Sequence, residues 1–85
     1  MALYRVLFRE SVRKGLRGIP KKEVQRILER IQDLQTGPRP QGCEKLASQD
    51  RYRVRQGEYR IVYSVNDRER TVWIVKVAHR KDVYR

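Results

Sequence analysis

The residues of this chain best suited to chemistry are three closely spaced arginines, a histidine–arginine pair and a late tyrosine. Arg53, Arg55 and Arg60 sit in the stretch Tyr52-Arg53-Val54-Arg55-Gln56-Gly57-Glu58-Tyr59-Arg60-Ile61-Val62-Tyr63. Guanidinium groups fork onto phosphate oxygens in bidentate fashion. Several of them around one phosphate could stabilise a pentacoordinate transition state, in which negative charge gathers on the non-bridging oxygens. That chemistry needs no metal and no cofactor. Nor is there a carboxylate cluster suited to Mg²⁺: Glu58 falls in a turn and Asp82 in the tail, too few for a two-metal site. His79 is the single histidine, and histidine is the residue type that exchanges protons near neutral pH. A lone histidine at a strand end is more often structural, and Arg80 beside it strengthens the functional reading without overturning that preference. Tyr84 lies past the last apolar run in a charged tail, where it could stack on a base or move a proton. The plainer reading of the arginines is a solvated face on a basic protein.

A hairpin must position the first three. Two alternating runs, Tyr52 to Gln56 and Tyr59 to Val65, flank Gly57-Glu58, and glycine at the first central position suits a two-residue type II′ turn. The resulting register sets Gln56 against Tyr59, Arg55 against Arg60, Val54 against Ile61, Arg53 against Val62 and Tyr52 against Tyr63. One face then carries Tyr52, Val54, Ile61 and Tyr63 and points to the core; the other carries Arg53, Arg55 and Arg60. Like charges directly opposed destabilise a sheet, a cost expected where something anionic binds. A turn over Asn66 to Arg70 leads to a strand from Thr71 to Ala78 rich in β-branched residues. Strict alternation with a five-residue loop predicts Trp73, Val75 and Val77 in the core, Val62, Val72 and Ile74 on the open face, and Lys76 opposite Arg60. If the strand continues, Arg80 joins the arginine face and His79 points away from it or ends the strand. Tyr52, Tyr63 and Trp73 are read as core aromatics rather than stacking platforms.

Upstream, Leu3 to Phe8 reads as a first strand, either an edge or covered on both sides. Ser11 to Leu16 reads as a short helix that Ser11 could cap. Pro20 opens a second helix, on which Val24, Ile27, Leu28, Ile31 and Leu34 form one apolar stripe opposite a charged face. The stripe predicts packing on a sheet rather than on a membrane. Pro38 to Asp50 reads as a loop in which Lys45-Leu46 pairs briefly with a neighbour. The order β-α-α-β-β-β predicts an α+β fold. Two helices cover one face of a mainly antiparallel, twisted four-stranded sheet, in one domain spanning residues 1–85.

The 85 residues carry 21 Lys and Arg against 10 Asp and Glu, a net charge of +11. The excess is spread over both halves of the chain and calls for an anionic partner, with nucleic acid, an acidic protein and a membrane surface all compatible. Cys43 is the only cysteine, so no disulfide closes within the chain, which fits a reducing compartment. No apolar run approaches a membrane span and the first residues lack a signal-peptide pattern. A cytosolic (cytoplasmic) protein is expected.

Tyr52-Arg53-Val54-Arg55, Gly57-Glu58-Tyr59-Arg60-Ile61-Val62-Tyr63, Val77-Ala78-His79-Arg80 and Val83-Tyr84 together resemble the RelE branch of the RelE/ParE toxin superfamily. The resemblance runs over nearly the whole chain. It implies a RelE-like fold and the toxin of a type II toxin–antitoxin pair. Such a toxin cleaves mRNA in the A site of the small ribosomal (30S) subunit, without a metal. The 2′-hydroxyl attacks the neighbouring 3′ phosphate, leaving a 2′,3′-cyclic phosphate and a 5′-hydroxyl. By position, Arg53 and Arg55 match two basic residues that are lysines in the best-known member. Arg60 matches a phosphate-contacting arginine, Arg80 the arginine that stabilises the transition state or protonates the leaving oxygen, and Tyr84 the base-stacking tyrosine. Lys76 joins Arg53, Arg55 and Arg60 as a substrate-binding residue. Arginine does not act as a general base, so that role falls to Tyr84, His79, Glu58 or a ribosomal group. The implied partners are an acidic RelB-like antitoxin, which would cover the open face at Val62, Val72 and Ile74, and mRNA on the ribosome. Operator DNA would be met only through the antitoxin complex, and no membrane is involved. The alternative, equally compatible with fold and charge, is a ParE-like chain that poisons DNA gyrase without cleaving RNA. A third is a paralogue that only binds RNA.

Overall fold

A computed structural model describes residues 3–47 and 50–83 of the chain. The elements run β1 (Arg5–Phe8), α1 (Glu10–Leu16), α2 (Lys21–Asp33), β2 (Glu44–Lys45), β3 (Arg51–Gln56), β4 (Tyr59–Asn66), β5 (Thr71–His79) and α3 (Arg80–Val83). They build one sheet in the order β1-β5-β4-β3-β2. The α+β reading holds, but with five strands rather than four and with a third, C-terminal helix. The added strand is the two-residue β2, which pairs Glu44 with Arg53 and Lys45 with Tyr52. β1 is an edge strand and runs parallel to β5; all other pairings are antiparallel.

The apolar stripe of α2 does what its spacing requires. Ile27, Ile31 and Leu34 are buried against Val54, Ile61, Tyr63, Val72 and Ile74, and α1 adds Val12 to the same cluster. Leu28, at the stripe's margin, stays exposed. Pro20 stands just before α2, at its N-cap position. The α1 cap is Arg9 rather than Ser11. The Arg9 N–H donates to the Ile74 carbonyl, so β5 fixes the chain's entry into the helix, and the Arg9 side chain makes no cap bond.

The first hairpin has the expected register at every pair from Tyr52–Tyr63 to Gln56–Tyr59. Gly57 has φ of +59° while Glu58 stays out of the left-handed region, the backbone pattern of a type II′ turn. The second hairpin departs from expectation. Its loop is shorter by one residue, since Asn66 pairs with Thr71. The Asn66 side chain accepts the Glu69 N–H at 3.0 Å, and Arg70 takes a left-handed φ of +53°. A bulge then shifts the register at Val62/Tyr63, so that Tyr63 faces Ile74 and Val62 faces Lys76. The shorter loop puts Val72 and Ile74 in the core, both fully buried, and leaves Trp73 outward and 42% exposed. The bulge leaves Val75 beside Trp73 and Lys76 on the open face and returns Val77 to the core side. Val72 and Ile74 are therefore not open-face residues, and Trp73 is not a core aromatic. Lys76 stands opposite Val62, not Arg60.

The far end of the sheet is clasped by polar contacts. The Tyr63 hydroxyl donates to the buried Pro38 carbonyl at 2.7 Å. Arg39 grips Asp67 through both terminal nitrogens, at 3.1 and 2.8 Å, and reaches the Tyr52 hydroxyl through Nε. Tyr4 donates to the same carboxylate at 2.6 Å. These donors hold the Asp67 pKa down at about 2, whereas burial pushes the Tyr63 phenol up. Among the described residues no helix is long and apolar enough to cross a membrane.

Candidate active site

Two adjacent rows on the open face carry the cations. One row runs Arg55, Arg60, Ala78; the next runs Arg53, Val62, Lys76. Side chains in one row stand about 5 Å apart at Cβ, and diagonal neighbours about 7–8 Å. Arg53, Arg55, Arg60 and Lys76 therefore share one basic patch, even though Lys76 lies one row from its expected place. Arg53 forms an ion pair with Glu44 of β2 at 3.0 Å. Arg60 is the exceptional member. It is 7% exposed, and its Nη1 is buried without a hydrogen-bond partner among the described residues. A buried charge with an unmet donor is costly, and Arg55 directly across adds like-charge repulsion.

The remaining residues gather where the β3–β4 turn meets the end of β5. Tyr59 pairs with His79, and the two rings meet edge to face at 5.4 Å. Tyr59 shares its face with Ile61 and Tyr63, so His79 points to the helix side, away from the basic patch. The Lys81 N–H donates to His79 Nδ1 at 3.2 Å. His79 thus caps α3, and in its neutral form the ring proton sits on Nε2. Arg80 does not extend the strand onto the arginine face as expected, because α3 begins there. Instead its N–H donates to the Glu58 carbonyl at 2.7 Å, and its Nε lies 3.3 Å from Glu58 Oε2.

A cleft of about 300 Å³ opens on the helix side of this turn, lined by Glu23, Arg26, Gln56, Glu58, Tyr59 and His79. The sequence reading put Glu58 in a turn and offered it as a candidate base, but singled out neither Glu23 nor Arg26 for the site. The signal for Glu58 was available: in a three-strand meander the first turn returns beside the end of the third strand. Tyr84 lies outside the described residues.

Comparison with known proteins adds the family. Residues 6–84 match the model of the ParE toxin of the type II toxin–antitoxin system parDE. The chain is 33% identical to Toxin RelG of Mycobacterium tuberculosis, over 96% of this chain and 97% of that protein. Its fold is similar to the toxin in the archaeal RelE–RelB complex from Pyrococcus horikoshii, with a TM-score of 0.80 at 32% identity, covering 94% of this chain and 98% of that one. The toxin–antitoxin complex RelBE2 of M. tuberculosis gives a TM-score of 0.79 at 28% identity, covering 91% and 98%. With both model and relatives matching end to end, the chain belongs to the RelE/ParE superfamily of type II toxin–antitoxin toxins, on its RelE branch.

Proposed function

We propose that this toxin is a metal-independent endoribonuclease that cuts mRNA in the ribosomal A site. The observation that carries the reading is Arg60, a nearly buried guanidinium with an unpartnered nitrogen in the middle of a basic patch. The fold holds it there at a cost, and a phosphate oxygen is the partner that would relieve it. Arg53, Arg55 and Lys76 flank the phosphate and bind neighbouring backbone. The 2′-oxygen attacks the adjacent phosphorus, the bond to the 5′-oxygen breaks, and the charge on the non-bridging oxygens is met by Arg60 and Arg80. Arg80 supplies a donor for the leaving oxygen, since the His79 ring faces the helix side, away from the basic patch. With Nδ1 of His79 already accepting from Lys81, the base that takes the 2′-proton is Tyr84, Glu58 or a ribosomal group. That scarcity of bases within the chain supports dependence on the ribosome.

The partner that controls such a toxin is an acidic RelB-like antitoxin, through which operator DNA would be reached; solved relatives are RelE–RelB complexes. Its footprint centres on the exposed Trp73 of the open face, with the nearly buried Val62 and Val75 on the same face, in place of Val72 and Ile74 on the core side. Growth arrest and mRNA cleavage on expression test the enzyme reading. The variant Arg60→Ala with Arg80→Ala is expected to lose both, and retention of both overturns it. A second reading, poisoning of DNA gyrase, draws on the match to the ParE model. Gyrase-dependent DNA breaks with purified protein, in the absence of mRNA cleavage, would establish it instead.

A further inference from the structure

We infer that Glu58 is a positioning residue for Arg80, fixing the guanidinium from the turn so that its outer edge faces the substrate phosphate; this rests on the ribonuclease reading above. Two contacts carry it. The Glu58 carbonyl accepts the Arg80 N–H at 2.7 Å, which ties the first residue of α3 to the turn. The Glu58 carboxylate lies 3.3 Å from Arg80 Nε, on the inner edge of the guanidinium. With Nε beside Glu58, Nη1 and Nη2 form no ion pair with any described residue, a fork suited to two phosphate oxygens. Among the described residues Arg80 forms no other ion pair.

The backbone explains how Glu58 reaches this position. Gly57 takes φ of +59°, which makes the turn tight enough to set Glu58 beside the end of β5. Both partners of the ion pair are about 60% exposed, and exposed pairs contribute little to stability. Its value therefore lies in orientation. Among the described residues Glu58 is the one acid that pairs with Arg80, so without the carboxylate no described ion pair fixes the χ angles of this first residue of α3.

The test is single-turnover cleavage on programmed ribosomes by wild type, Glu58→Ala, Glu58→Gln, Arg80→Ala and the double variant Glu58→Ala/Arg80→Ala. Misplacing a catalytic group by an ångström can cost about 10²-fold. We expect Glu58→Ala and Glu58→Gln to slow cleavage roughly 10-fold or more on that scale, with ribosome affinity and thermal midpoint nearly unchanged. The loss should disappear in the Arg80→Ala background, and the pH–rate profile should keep its shape at lower height. Wild-type rates in Glu58→Ala, or losses that multiply in the double variant, would overturn the positioning role. So would a shifted pH limb, which would make Glu58 the general base. Failure of wild type to cleave at all would refute the ribonuclease reading instead, so the two failures are distinguishable.

Discussion

Replacing Arg60 by methionine should make the protein more stable and less active at once. The side chain is 7% exposed and leaves a buried nitrogen unpaired. An unsatisfied buried donor costs about 1–3 kcal/mol. Arg55 lies directly across the strand pair, and opposed like charges cost up to about 1 kcal/mol more. Methionine keeps most of the aliphatic stem and its packing while removing both penalties, and buried charges are often replaced by apolar groups without loss. A net gain of about 1 kcal/mol or more follows from these terms. For a domain of this size that raises the thermal midpoint by roughly 4–8 °C per kcal/mol. Losing one electrostatic contact to the transition state should lower cleavage by about 10²–10³-fold. Urea unfolding followed by fluorescence of the single tryptophan, Trp73, measures the first effect; a cleavage assay on programmed ribosomes measures the second. A variant destabilised by more than 1 kcal/mol would show that Arg60 is held by favourable contacts, and the argument from its unmet donor would collapse.

Asp67 predicts an acid limb in stability. Its folded pKa is lowered to about 2 by Arg39 and Tyr4, so its contribution is complete above the unfolded value near 4 and is lost as pH falls through about 2. Asp67→Asn should flatten that part of the stability–pH curve; an unchanged curve would remove Asp67 from the clasp. Gly57→Ala should destabilise by about 1 kcal/mol or more, because an L-residue pays for the left-handed φ. The new Cβ would meet only Glu23 Oε2 at 3.5 Å, so strain and not collision is the cause, and a thermal midpoint equal to wild type would contradict it. Trp73→Glu should leave stability nearly unchanged and weaken antitoxin binding by about 30-fold or more, the scale of an aromatic hot spot. Unaltered affinity by titration calorimetry would move the interface off this face.

The parts of the fold legible in the sequence were those where one local rule decides. The Gly57-Glu58 turn fixed the first hairpin's register to the residue, since a two-residue loop leaves no freedom. The α2 stripe named Ile27, Ile31 and Leu34 because a 3.6-residue period fixes the buried face; it does not fix the width of that face, and Leu28 at the margin stays exposed. β5 was misread because strict alternation was imposed across a bulge. Its faces, Trp73-Val75-Val77 and Val72-Ile74-Lys76-Ala78, each looked acceptable, and the more apolar one was placed inside. The charge at Lys76 within an otherwise apolar set was the signal of a change of phase, which the bulge between Ile74 and Lys76 supplies. The short β2 was legible only as the brief pairing read at Lys45-Leu46; the clasp at Asp67 depends on a contact between distant residues, Arg39 with Asp67, which no local pattern encodes.

The site divides the same way. Arg53, Arg55 and Arg60 were placed by the hairpin alone, and the patch survives the register error in β5 because Lys76 still lands on the same face. Helix formation at Arg80 was not foreseen, so its tie to Glu58 was missed. His79 as the α3 cap was missed for the same reason. Burial of Arg60 could not be read at all: alternation tells which face a residue occupies, not how much of it neighbouring side chains cover.

The central claim is tested most directly by in vitro translation with purified protein and an end-mapped mRNA, with and without ribosomes. Cuts that appear only on ribosomes, within A-site codons and with 2′,3′-cyclic phosphate ends, are the predicted result. Intact mRNA in both reactions would contradict it, and would reduce the basic patch to a surface for the antitoxin.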